Sequence, residues 1–285
     1  MIEAKLAAKS RADHTTKIRI SEEIAVGSEE IVIIGGPCSV ESLEQMEQVA
    51  SHLALAPVQV LRGGAYKPRT SPYSFQGLGD AGLKILAQVS QRYGIPTVTE
   101  VMSIPQIEAV VAHADLLQIG SRNMHNFELL KAVGQTHKPI ILKRGLAATI
   151  EEFVFAAEYI LSQGNPQVIL CERGIRSFDT YTRNVLDLGA VVALKQMTHL
   201  PVIVDPSHAA GKRELVASLA RAAIAAGADG LAIECHPEPS RSISDARQAL
   251  SLPEMVELVR SLRPVAAAVG RRVAIAPMQC QLSAA

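Results

Sequence analysis

A (β/α)8 barrel is the fold this sequence predicts, and three observations point to it. Eight short, continuous apolar runs rich in β-branched residues are spread between Ile31 and Ile233, the pattern of strands buried on both faces of a parallel sheet. Amphipathic helical stretches lie between those runs, so strand and helix alternate along the chain. The composition is 48% hydrophobic but only 4% aromatic, with no Trp, which leaves a core of Ile, Leu, Val and Ala suited to packing strands against helices. A doubly wound open sheet is the alternative, but no Gly-rich dinucleotide turn follows the first run.

Residues 1–30 stand apart as an N-terminal arm. A polar start is expected to be disordered; then Ile18 and Ile20 alternate with Lys17 and Arg19 before a charged turn near Ser28–Glu30, a pattern that predicts a short hairpin closing the barrel floor. The arm is too short for an independent regulatory domain. Residues 31–270 are assigned to the catalytic barrel, with strands at Ile31–Ile34, Val58–Leu61, Thr97–Val101, Leu116–Ile119, Ile140–Leu142, Val168–Leu170, Val202–Val204 and Leu231–Ile233. Ser42 and Gln45 form a capping box ahead of a helix whose Leu43, Met46, Val49 and Leu53 share one face. Ser103, with Pro105 in the first turn, opens the helix of Ile107, Val110 and Val111. Thr149 and Glu152 form a second box ahead of Phe153, Ala156, Ala157 and Ile160. Leu215, Leu219 and Ala222 make a stripe that stops at Gly227. Pro253 opens a last helix carrying Val256, Val259 and Leu262. Residues 271–285 are left as a C-terminal tail.

The 28 basic and 28 acidic residues cancel, so neither nucleic acid nor an anionic membrane is a partner on bulk electrostatics. Anion recognition must come from local clusters of Lys and Arg. The four cysteines, Cys38, Cys171, Cys235 and Cys280, have no disulfide-framework spacing, which fits a reducing cytosol. Met1–Asp13 contains no apolar signal-peptide core, and no apolar stretch approaches the ~20 residues of a membrane span. A cytoplasmic location is the expectation.

In such a barrel the active site lies at the carboxyl ends of the strands. The residues just past each run are Cys38, Arg62, Glu100, Arg122, Lys143 with Arg144, Glu172 with Arg173, Asp205 with His208, and Glu234 with His236; Lys67, Arg69, Thr70 and Asp245 lie in the following loops. Taken singly, each has a plain explanation. A lone Cys is usually a small apolar residue, a His after Pro-Ser caps a loop, and an Asp after Ser begins a helix. Glu234 resists such a reading, because it ends the apolar run Leu231–Ile233 and needs a counter-charge. Together, Cys38, His208, Glu234 and Asp245 make a ligand set for a borderline divalent ion, Mn, Fe, Co or Zn. The surplus of Arg and Lys at the same rim calls for anions, most simply phosphates and a carboxylate. Lys67-Pro68-Arg69-Thr70-Ser71 follows the turn Arg62-Gly63-Gly64, where Gly lets the chain approach a ligand closely. Lys143 leaves a Schiff-base aldolase open, and a non-catalytic binding barrel is a further alternative.

At these residues the chain resembles the 3-deoxy-D-arabino-heptulosonate 7-phosphate (DAHP) synthases, in their short Iβ form. The resemblance runs from about Ile31 to Leu252. It is carried by Gly36-Pro37-Cys38-Ser39, Arg62 through Thr70, Gly120-Ser121-Arg122-Asn123, Leu142-Lys143-Arg144-Gly145, Asp205-Pro206-Ser207-His208 and Ser244-Asp245. It implies a condensation of phosphoenolpyruvate with erythrose 4-phosphate, the first step of the shikimate pathway, in a homodimer or homotetramer. Carried over by position, Cys38, His208, Glu234 and Asp245 are the implied metal ligands. Arg122, Lys143 and Arg173 are implied to hold the phosphate of phosphoenolpyruvate, with Arg62 and Lys67 beside its carboxylate and reacting carbons, and Arg144 is grouped with these substrate contacts. Arg69 and Thr70 would take the aldose phosphate, Asp205 would complete the surroundings of sugar and metal, and Glu100 would stand near the attacking water. Lys67, Glu100, Cys38 and His208 are the implied catalytic groups. The sister enzyme making 3-deoxy-D-manno-octulosonate 8-phosphate from arabinose 5-phosphate is the alternative. It typically reads Lys-Ala-Asn-Arg-Ser where this chain has Lys67-Pro68-Arg69-Thr70. One residue fewer between Lys and Arg suits a four-carbon aldose.

Overall fold

Strand closure and strand parity together explain where every functional side chain lies. In the computed structural model, which describes residues 3–274, the chain opens with an antiparallel hairpin, β1 (Ile18–Arg19) and β2 (Ala25–Val26). Then follow β3 (Glu30–Gly36), α1 (Leu43–Leu53), β4 (Val60–Arg62), α2 (Asp80–Tyr93), β5 (Thr97–Glu100), α3 (Ile107–His113), β6 (Leu116–Ile119) and α4 (Phe127–Gly134). The second half runs β7 (Ile140–Lys143), α5 (Ile150–Leu161), β8 (Val168–Glu172), α6 (Leu188–Met197), β9 (Val202–Val204), α7 (Pro206–Ala210), α8 (Arg213–Ala225) and β10 (Gly230–His236). A short β11 (Leu250–Ser251), the long α9 (Leu252–Ala268) and β12 (Arg272–Val273) follow. The strands β3 to β10 pair in parallel, each with the next, and β10 returns to β3 with Leu231 opposite Ile33. The cylinder is closed, so the fold is the expected (β/α)8 barrel, and each predicted run overlaps one of its strands.

Because successive side chains on a strand face opposite ways, each strand serves two cores. Ile31, Ile33, Leu61, Leu117, Leu142 and Leu170 pack outward against helix residues such as Met46, Leu86, Val133 and Phe153. The other parity fills the cylinder: Val32 and Ile34 of β3, Val60, Val98, Leu116, Ile141, Ile169, Cys171, Ile203 and Ala232. Ile18, Ile24 and Val26 of the β1–β2 hairpin belong to this inner cluster. The hairpin therefore plugs the amino end of the barrel, as its alternating pattern predicted. One inward step further along the strands the lining changes character, to Arg62, Glu100, Gln118, Lys143, Arg173, Asp205 and Glu234.

Helix starts follow the capping chemistry with one adjustment. Thr149 and Glu152 form both halves of their box at α5. At α1, Ser42 accepts from the Gln45 N–H, but the Gln45 amide oxygen accepts from the N–H of Glu41 rather than that of Ser42. A third box, Ser251 with Glu254, opens α9. The start expected to be disordered instead makes defined contacts. The N–H groups of Leu6 and Ala7 donate to Glu158 Oε1 of α5, and the His199 ring bonds Thr16 Oγ1 and the Leu6 carbonyl. Arg272 and Val273, read as tail, pair beside Glu30 and Ile31; the rest of the tail, residues 275–285, lies outside the described residues. No helix among the described residues is long and apolar enough to cross a membrane.

Truncating the floor should cost stability. Ile24 is 2% exposed, so Ile24→Ala is expected to lower the unfolding free energy by about 2–5 kcal/mol in urea titration. Leu55→Ala, at an exposed position, is expected to stay within about 0.5 kcal/mol. Equal effects would mean that the hairpin does not seal the barrel.

Candidate active site

The site is assembled from the carboxyl ends of β3, β9 and β10 and the loop after β10. Gly36 ends β3 with φ +142°, and a Cβ there would lie 2.2 Å from the Arg62 carbonyl oxygen. Only glycine lets β3 and β4 close up here, and the turn it permits brings Cys38 over the mouth. Asp205, just past β9, caps α7 by accepting the His208 N–H at 2.9 Å, and Pro206 occupies the first turn. Its other oxygen faces His208 Nδ1 at 2.7 Å and Lys143 Nζ at 2.5 Å. Nδ1 carries the ring proton in that arrangement, which leaves the Nε2 lone pair aimed at Glu234 Oε1, 3.3 Å away, and Asp245 Oδ2, 3.8 Å away. A carboxylate behind a histidine is the usual means of orienting a metal ligand. Burial lowers the His208 pKa, against the pull of Asp205 and Glu234, so a neutral ring is what the cluster presents.

Cys38 Sγ lies 3.0 Å from Lys67 Nζ, 3.0 Å from Ser244 Oγ and 3.1 Å from Asp245 Oδ2. Glu234, fully buried at the end of β10, receives Gln248 Nε2 on Oε2 at 2.6 Å. Its Oε1 stands 3.0 Å from Arg62 Nη1, yet neither atom makes a well-aligned hydrogen bond. A buried carboxylate oxygen left unsatisfied is costly unless a cation completes it. Ligand atoms of Cys38, His208, Glu234 and Asp245 all lie within 4.8 Å of one another, near the upper limit of roughly 4–4.6 Å that two ligands at about 2.0–2.3 Å from one ion can span. Asp245 has φ 55°, alone among described non-glycine residues in the left-handed region, where strained backbone marks functional sites. Thiol, imidazole and two carboxylates form a potential metal site.

Beside it runs a cleft lined by eight cationic side chains, Arg62, Lys67, Arg69, Arg122, Lys143, Arg173, Arg176 and Arg183, against the carboxylates of Glu100 and Asp245. Arg62 pairs with Glu234, Lys143 with Asp205 and Arg183 with Asp245. Arg122, Arg173 and Arg176 face the cleft with no carboxylate partner among the described residues. Burial lowers the Arg173 pKa, the mark of a cation held where a bound anion would compensate it. Lys67 Nζ also donates to the Cys38 carbonyl at 2.9 Å. Burial works against its charge, but Cys38 and Glu100 outweigh that and raise its pKa.

Three of the expected substrate contacts, Arg144, Thr70 and Asp205, do not line this cleft. Arg144 follows inward-facing Lys143, so parity turns it outward: its guanidinium meets Glu172 at 2.9 Å and Asp187 at 3.0 Å, and Nε donates to the Ala148 carbonyl. Thr70 is exposed and does not line the cleft. Asp205 acts from below, through Lys143 and His208. Conversely, Gln118, Arg176, Arg183 and Asn184 line the cleft unanticipated. Three of these sit in the long β8–α6 connection, beyond the strand end, and Gln118 is neutral. Inward parity finds Gln118, and the arginines of residues 173–183 were the available signal for the others.

The fold and the cleft define a class, the (β/α)8-barrel enzymes whose catalytic face joins a potential metal site to a polycationic groove. Within that class, residues 15–269 match the DAHP synthetase I family, and the chain belongs to it. A phospho-2-dehydro-3-deoxyheptonate aldolase of Thermotoga maritima is 49% identical over 251 residues, which is 88% of this chain and 74% of the relative. A crystal structure of phospho-2-dehydro-3-deoxyheptonate aldolase (DAHP synthase) from Thermotoga maritima superposes with a TM-score of 0.92 at 45% identity, covering 96% of this chain and 79% of that one. A 2-dehydro-3-deoxyphosphooctonate aldolase of Aromatoleum aromaticum is 33% identical over 83% of this chain and 91% of the relative.

Burial, reinforced by Glu234, pushes the Cys38 thiol up to about 12, so at neutral pH metal capture must expel its proton. Divalent-metal affinity is therefore expected to rise about tenfold from pH 7 to pH 8, read by equilibrium dialysis. Cys38→Ala should abolish that slope and most metal retention while leaving far-UV circular dichroism unchanged. A pH-independent affinity would show that the thiol is not a ligand.

Proposed function

We propose that the protein condenses phosphoenolpyruvate with D-erythrose 4-phosphate and water, giving 3-deoxy-D-arabino-heptulosonate 7-phosphate and inorganic phosphate. One observation carries the reading: a groove with eight cations against two carboxylates, opening directly onto the Cys38–His208–Glu234–Asp245 cluster. Two phosphates and a carboxylate are the anions that such a groove lacks. The 49% identical Thermotoga relative supports the choice of reaction.

In this reading Arg122, Lys143 and Arg173, which line the groove, hold the phosphate of phosphoenolpyruvate, with Arg62 and Lys67 on its carboxylate side. Fixing both anionic ends orients the enol carbon and converts binding energy into proximity. Arg69, which also lines the groove, takes the aldose phosphate. A divalent ion in the cluster would supply Lewis acidity toward the aldehyde oxygen. Attack of the enol carbon C3 on the aldehyde carbon makes the C–C bond and turns the aldehyde oxygen into an alkoxide, which Lys67, kept as an ammonium beside Cys38 and Glu100, protonates. Glu100 orients the water that adds at C2. A Cβ at residue 120 would lie 2.1 Å from Glu100 Oε1, so Gly120 makes room for that carboxylate, and Gln118 Nε2 steadies it from 3.4 Å. Loss of phosphate by C–O cleavage then leaves the anion among the arginines that held it.

The octulosonate reaction is the second reading, supported by the 33% identical relative and opposed by the Lys67-Pro68-Arg69 spacing. Free, buried Cys38, Cys171 and Cys235 support a reducing cytosolic setting. A homodimer or homotetramer is the expected assembly, which light scattering decides.

Phosphate release from phosphoenolpyruvate should be faster with erythrose 4-phosphate than with arabinose 5-phosphate and should cease after chelation. The reverse preference selects the sister reaction, and indifference to chelator removes the metal. Arg69→Met is expected to raise the KM for the aldose phosphate about 10- to 100-fold, the loss of a charge-assisted contact, with a smaller change for phosphoenolpyruvate.

A further inference from the structure

Asp245 presents a carboxylate to the metal cluster from an irregular stretch between the 3-10 turn Pro239–Arg241 and β11. Its backbone is left-handed, at φ 55°, and no regular ladder holds the stretch in place. Glu41, in the loop after Cys38, is half-buried and neither lines the cleft nor belongs to the ligand set. Its Oε1 accepts the N–H of Ile243 at 3.0 Å and lies 3.4 Å from Ser242 Oγ. That hydroxyl donates to the Ser244 carbonyl at 2.7 Å. Glu41 Oε2 faces His236 Nε2 at 3.4 Å. His236 Nδ1 accepts the Glu238 N–H at 3.0 Å, so its ring proton lies on Nε2 and points at Glu41. The N–H of Glu41 is in turn held by Gln45 Oε1 at 3.0 Å. One carboxylate thus ties three segments: the loop carrying Cys38, the end of β10 carrying Glu234, and the stretch carrying Asp245.

We infer that Glu41 is a positioning residue, which fixes the spacing of Cys38 and Asp245 and so the geometry of the metal site without touching metal or substrate. The inference rests on the metal reading above. Arg69 Nη2 grips the same stretch from the groove side, through Ser244 Oγ at 2.7 Å, but no other described carboxylate accepts a backbone N–H from residues 242–244.

The test is a Co(II) titration of the full chain, following the thiolate-to-cobalt absorption and the ligand-field bands, with the melting temperature of the metal-free protein measured alongside. Glu41→Ala is expected to raise the Co(II) concentration at half-saturation by about 10- to 100-fold, as loss of a group that orients metal ligands does, and to shift the ligand-field bands. Glu41→Asp, which keeps the charge and the fold but shortens the reach to Ile243, should show about a tenfold loss. Wild-type affinity and spectrum in either folded variant, whatever the melting temperature, would overturn the positioning role and leave the metal site standing. Absence of a thiolate band in the wild type would instead sink the metal reading itself.

Discussion

Holding ionised groups inside the mouth of a closed barrel is the constraint from which the rest of this structure follows. Closure turns every second side chain inward, and above the apolar layer those positions are Arg62, Glu100, Gln118, Lys143, Arg173, Asp205 and Glu234. Each charge removed from water must be met by another. Arg62 answers Glu234, and Lys143 answers Asp205 and through it His208. Compensation stops short of completion on both signs. An oxygen of Glu234 and the guanidinium of Arg173 are buried without a well-aligned partner of opposite charge, one at the ligand cluster and the other in the groove. Those two deficits mark where a cation and an anion belong.

The two halves of the site are joined through Lys67 and Ser244. Lys67 Nζ touches Cys38 Sγ while the same side chain lines the groove, and Ser244 Oγ stands between Cys38 Sγ and Arg69. Groups assigned to the ligand cluster and to the aldose end therefore share hydrogen bonds. Packing of this kind resists independent adjustment of either half, and removing one partner leaves a buried donor or acceptor stranded.

Much of this was legible before any coordinates. Strands buried on both faces leave uninterrupted apolar runs, so all eight barrel strands could be read, although β4 begins at Val60 rather than Val58 and β10 runs on to His236. The four residues of the ligand cluster were legible because a thiol, an imidazole and carboxylates at strand ends are chemically unlike their surroundings. Position alone misled where parity mattered: Arg144 sits one residue past an inward Lys143 and joins Glu172 and Asp187 on the far side of the strand. Arg176 and Arg183 escaped because the β8–α6 connection folds back over the mouth, and a loop's path is not written in periodicity. The ordered arm escaped for a related reason: its anchors, Glu158 and His199, are more than 150 residues away in sequence.

The hairpin plug of Ile18, Ile24 and Val26 has a consequence for traffic. With the floor stoppered, the groove over Lys143 and Arg173 is reached from the carboxyl ends of the strands alone. That one-sided access is imposed by architecture alone, at the end of the barrel opposite the ligand cluster.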